Sequence, residues 1–217
     1  MTTSMTGEQI QEAANQLPSL TPQGLGPAVE FFAILFGVVS VLVVSLRVYV
    51  RAGLSGTSTS LWGIEDYMVV IGTLPMIPAV VYAVYAARFG IGTHDAQLPS
   101  PLYLIRANEH QTYWESLYFI SSTVIKCAIG FTCMRLDRRR RVVVIMAVNM
   151  SVMGVVAILA LVYIFANCTP FAATWNPSMG SCYKVIRMQT VCYIVSTIQM
   201  ATDWTCAIVP SFIIILE

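Results

Sequence analysis

Long apolar runs, separated by short polar stretches, dominate the pattern along this chain. A helix needs roughly 20 mostly apolar residues to cross a bilayer, and five segments meet that length. The first runs from about Ala28 to Val50, the second from Tyr67 to Ala87, the third from about Thr112 to Met134, the fourth from Val142 to Ala166, and the fifth from about Met188 to Leu216. The second and fourth carry no charge, whereas Lys126 interrupts the third and Asp203 the fifth. The runs are too long and continuous for a β-barrel, whose strands alternate over about ten residues. The expectation is an all-α, polytopic transmembrane helix bundle following a polar tail over residues 1–27.

Composition agrees: 57% of the 217 residues are hydrophobic and 11% are charged, against about 25% charged in soluble domains. Surface this apolar would expose patches that water-soluble monomers do not tolerate. The tail holds Glu8 and Glu12 but no Lys or Arg, so it lacks the basic start and short apolar core of a signal peptide. The first span then serves as an uncleaved insertion signal. The net charge of +1 and the absence of a long basic tract argue against nucleic acid. Neither a P-loop nor an H-E-x-x-H pair occurs.

Lys and Arg in short loops set orientation. Arg47, Arg51, Arg135, Arg138, Arg139, Arg140 and Arg141 put seven charges on one side; Arg88, Arg106, Lys184 and Arg187 put four on the other. The first side is expected to be cytoplasmic, which places the N-terminus outside. Glu65 and Asp66 precede the second span, where carboxylates favour a helix N-terminus, and Arg47 and Arg51 leave the first span on the same side. A cap with an ion pair is the structural reading; a coupling surface for a cytoplasmic partner is the functional one.

Pro75 and Pro78 each remove a backbone donor and predict kinks in the second span. Gly90 and Gly92 suit a left-handed helix exit. His94, Asp95, Glu109 and His110 share an outer loop in this reading, but their spacing matches no strong zinc motif, so no metal is expected. Cys168 and Cys182 lie on the oxidising side, where a disulfide is favoured; it would close a loop of about 15 residues and restrain it by roughly 3 kcal/mol. Cys127, Cys133, Cys192 and Cys206 fall within spans and act as small apolar residues. Asn167-Cys168-Thr169 matches a glycosylation sequon but lies tight against the membrane.

Lys126 and Asp203 carry the most information, since a charge at bilayer depth costs a few kcal/mol even on lenient scales. Lys126 lies nine residues from Arg135, roughly 13 Å along a helix, and Asp203 lies thirteen from Leu216, roughly 20 Å. Each sits on a polar stripe at helical spacing. Glu115, Ser122, Lys126, Gly130 and Cys133 form one stripe; Cys192, Ser196, Gln199, Asp203 and Pro210 form the other. The expectation is that the stripes face each other and Lys126 pairs with Asp203. A structural ion pair is the plainer reading; a ligand counter-ion, a switch or a proton-handling acid are the functional ones.

Taken in order, these features resemble the fungal rhodopsin-like domain family. The resemblance covers residues 30–217. It rests on Arg47-Val48-Tyr49-Val50-Arg51, Trp62-Gly63-Ile64-Glu65-Asp66-Tyr67, Gly90-Ile91-Gly92-Thr93-His94, Lys126, Cys168-Thr169-Pro170, Trp175-Asn176-Pro177, Gly180, Cys182, Asp203 and Pro210. It implies a seven-helix, receptor-like or sensory membrane protein with a small ligand and a cytoplasmic signalling partner, at the plasma membrane. Five of those seven helices are expected in the residues given. Glu65 stands where the family usually has Asp, and Ala128 where it usually has Ser. Lys126, on the third span, is not equivalent to the Schiff-base lysine that retinal proteins carry on their seventh helix, so no retinal or other cofactor is expected. Asp137-Arg138-Arg139 is similar to the acid–Arg signature of G-protein-coupled receptors, but the arginine run around it is explained by topology. Three alternatives remain: a small membrane enzyme such as a cyclase, with Asp203 and Glu115 as candidate acids; a structural remnant; and, last, a transporter, since no internal repeat is seen.

Overall fold

A computed structural model describes residues 5–52, 62–94, 97–183 and 188–215. Among the described residues there are seven α-helices: α1 (Gly7–Asn15), α2 (Gly26–Arg51), α3 (Ile64–Thr73), α4 (Met76–Arg88), α5 (Pro101–Leu136), α6 (Arg140–Ala166) and α7 (Met188–Ile215). The two-residue strands β1 (Cys168–Thr169) and β2 (Ser181–Cys182) pair antiparallel. The fold class is all-α. Among the described residues, four helical stretches are long and apolar enough to cross a membrane: Gly26–Arg51, Ile64–Arg88, Pro101–Leu136 and Arg140–Ala166. The fifth expected segment is helical, as α7, whose side chains are described from Thr190 to Ile208. Lys184, Arg187 and Asp95, together with the side chain of Pro210, lie outside the described residues.

The helices depart from the sequence expectation in three places. The second span is two helices, broken at Pro75, which cannot donate the backbone bond that would continue α3. Pro78 falls in the first turn of α4, where the missing donor costs nothing, so only one of the two prolines breaks the span. The third helix starts at Pro101, eleven residues before Thr112. Ser100 starts it: its hydroxyl accepts the Leu102 N–H at 3.3 Å, and proline follows at the first helical position. Glu109 and His110 therefore sit on a helix, not in a loop. Third, the polar tail contains a helix, α1, opened by the Thr6 N–H donating to Gln9 Oε1 at 3.0 Å.

The chain divides into two compact units. The first gathers Met1–Val39, Met76–Tyr118 and Val162–Val185. Here α1 is held by hydrogen bonds: Gln11 donates to Glu109 Oε2 (3.1 Å) and accepts from Trp175 Nε1 (3.2 Å). Arg106 donates to Asn15 (2.8 Å) and the Asn176 amide to Gly7 O (3.0 Å). Leu17 and Leu20 pack on the buried Phe89, Tyr103 and Ala107. His110 is buried against Tyr82, Tyr85 and Phe89, with ring centroids 5.9, 5.5 and 5.3 Å away, and neither of its nitrogens has a hydrogen-bond partner among the described residues. Cys168 and Cys182 face each other in the strand register and are joined by a disulfide.

The second unit gathers Ser40–Pro75, Phe119–Leu161 and Ile186–Glu217. Its helices approach closely where side chains are small: Gly72 lies against Val124 and Ile125, and Ser121 Oγ donates to Gly72 O at 2.7 Å. Cys133, Met146 and Cys206 form a buried cluster with Met134 and Val142. Its share of α2 exposes Leu42, Val43 and Leu46, an apolar surface suited to lipid.

Candidate functional site

Two groups of ionised side chains occur in the second unit, each assembled from several helices. The first surrounds the start of α3. Its leading turn needs acceptors for free N–H groups, and Asp66 supplies one by accepting the Gly63 N–H at 3.1 Å. The same carboxylate takes Arg47 Nε at 2.9 Å and Arg51 Nη1 at 3.3 Å. Glu65 takes Arg51 at 3.3 Å and Arg135 at 2.6 Å. Arg47 also reaches Thr132 Oγ1 at 3.4 Å. The two carboxylates are buried, 7% and 2% exposed, while their three arginines come from the ends of α2 and α5. Trp62, just before α3, packs edge-on against Tyr67 at 5.3 Å. The sequence pattern pointed to Arg47 and Arg51 but missed Arg135, which it counted only toward topology.

The second group lies within α5 and α7. Lys126 Nζ sits 2.8 Å from Asp203 Oδ1. It also donates to Gln199 Oε1 at 2.5 Å and to Gln199 O at 3.3 Å, so three acceptors surround the ammonium group. Ser122 Oγ donates to Gln199 Oε1 at 3.4 Å. The burial is lopsided: the lysine side chain is 9% exposed and the aspartate 55%. Gln199 is buried, yet its Nε2 has no hydrogen-bond partner among the described residues. Gln199 belonged to the expected polar stripe, but its role as the second acceptor for Lys126 was not legible from spacing. Beside this group, Asn149 Nδ2 donates to Cys206 Sγ at 3.1 Å.

The remaining predicted residues lie in the first unit. Gly90 and Gly92 both have positive φ, 117° and 85°, and Gly92 O accepts the Leu25 N–H at 2.9 Å. The bend they make seats the N-terminal segment at the end of α4. His94 is exposed, and its carbonyl accepts the Gln97 N–H at 2.8 Å. No group of three or more potential metal ligands occurs among the described residues.

No curated protein and no solved structure matches the chain. The family model described as fungal rhodopsin domain matches residues 46–216. That span includes both ionised groups, the Gly90–His94 bend and the disulfide loop, and it takes in most of the chain: this multi-pass membrane protein belongs to the fungal rhodopsin domain family.

Proposed function

We propose that the chain is a receptor-like or sensory membrane protein in which the Lys126–Gln199–Asp203 group responds to a small ligand. The carrying observation is the incomplete satisfaction of that group. A lysine buried at membrane depth is held by an aspartate that is half exposed, and the adjoining buried amide has a donor to spare. An acceptor on a ligand pairs with Gln199 Nε2, and a donor pairs with the open side of Asp203. Either contact changes the hold on Lys126 and hence the packing of α5 on α7. A cytoplasmic signalling protein would read the change at the basic loops.

The N-terminus is placed outside and the protein in the plasma membrane. The uneven Lys and Arg distribution supports that orientation, as does the disulfide, which belongs to the same unit as the N-terminal helix and persists in oxidising compartments. An N-terminal epitope tag should then be stained on intact cells.

The exposed carboxylate of Asp203 also favours a second reading, a membrane enzyme using it as an acid. In cells lacking the protein, wild type and Asp203→Asn at matched abundance separate the two. A receptor loses a cue-dependent transcriptional response while products made without the cue stay unchanged. An enzyme loses one product whether or not a cue is present.

A further inference from the structure

The turn between α5 and α6 holds charges that the two groups above do not use. Arg135, Arg138, Arg139, Arg140 and Arg141 fall within seven residues and all are exposed. Arg135 is engaged by Glu65 and Arg139 lies 3.8 Å from Asp137. Arg138, Arg140 and Arg141 have no ion-pair partner among the described residues. The local acid is already committed, since Asp137 Oδ1 accepts the Arg139 N–H at 2.8 Å. Topology asks only for positive charge near one face of the membrane. It does not ask for unpaired arginines in the first turn of α6, where the helix dipole disfavours cations and no acidic residue offsets them.

We infer that Arg138, Arg140 and Arg141 form a binding site for the phosphate headgroup of an anionic lipid in the leaflet that this turn borders. The connection between the two membrane-length helices is only Asp137–Arg139, so the guanidinium groups stay at headgroup level. Leu136 on one flank is 66% exposed, as expected of a residue facing acyl chains, and α6 turns apolar from Val142 onward. Arginine forks match phosphate oxygens in pairs. Clusters of this size beside a membrane helix attract anionic lipids, each arginine contributing about fivefold in affinity. A short turn at headgroup level suits a lipid better than a soluble acidic partner, which would need a surface projecting into water.

The test uses the full chain in neutral detergent with fluorescent phosphatidylinositol bisphosphate, against phosphatidylcholine bearing the same fluorophore. Wild type is expected to bind the anionic lipid at least about tenfold more tightly, with an affinity that falls as salt rises. The triple variant R138Q/R140Q/R141Q is expected to lose about 100-fold, and R139Q, whose charge is shared with Asp137, less than about fivefold. A triple lysine variant, R138K/R140K/R141K, preserves the charge that sets topology and should keep part of the affinity. Equal binding of the two lipids by wild type overturns the inference without recourse to any variant. So does a folded triple glutamine variant that binds like wild type. Soluble inositol trisphosphate binding as tightly as the lipid also overturns it, assigning the site to a free polyphosphate.

Discussion

The two ionised groups of the second unit solve the problem of a charge near lipid in opposite ways. At the start of α3 the anions are buried and the cations are partly open, with three arginines and a backbone N–H converging on two carboxylates. Between α5 and α7 the cation is buried and the anion is half open, with one lysine and one carboxylate. Redundant partners make the first group hard to open: losing one contact leaves each carboxylate with another. Among the described residues, the second group has a single ionic contact and one unpaired amide donor. A network with spare partners suits a fixed joint, and one with an unmet donor suits exchange with a ligand.

Substitutions can break that contrast. The largest loss is expected for Asp66→Ala, on the order of 3–5 kcal/mol, because it strips partners from Arg47, Arg51 and the α3 N-terminus together. Thermal unfolding in detergent, read by the reaction of the buried thiols Cys133 and Cys206 with a dye, measures it. The paired change C168S/C182S should cost about 3 kcal/mol by the same assay, with the effect confined to the first unit in hydrogen exchange.

Smaller effects sharpen the comparison. Asp203→Asn should cost about 2 kcal/mol, since the buried Lys126 then keeps only Gln199 to hold it. Lys126→Met should cost less than half as much, because the aspartate it frees is already half exposed. The exchange K126D/D203K should regain part of the loss; full independence of the two positions removes the proposed pairing. If Lys126→Met costs as much as Asp66→Ala, the contrast between joint and exchange site fails. Smallest is Gln11→Ala, about 0.5 kcal/mol, seen as faster hydrogen exchange in α1 and a shifted Trp175 emission.

Where apolar length decides an element, the sequence was read closely. The expected first span differs from α2 by two residues at its start and one at its end, and the expected fourth span differs from α6 by two residues at its start alone. The misses are polar helices. Residues 101–111 contain Arg106, Asn108, Glu109 and His110, so a rule based on apolar runs passes over them, although Ser100-Pro101 is a start signal. Helix α1 was signalled by Thr6 with Gln9 three residues on. Its stability comes from docking onto Glu109, Trp175 and Asn176, partners distant in sequence.

The amino-acid sequence by itself determined that this chain crosses a membrane, roughly where its helices lie, and that Lys126 and Asp203 are the costly charges within them. Those properties follow from local length, period and desolvation. Only the tertiary structure decided that Gln199 shares Lys126, that Arg135 joins Glu65, that one charge of the intramembrane pair is buried and the other open, and that α1 folds onto the first unit. Each depends on side chains from separate helices meeting at particular distances and rotamers, and residue spacing along one helix does not encode which face of another it will meet.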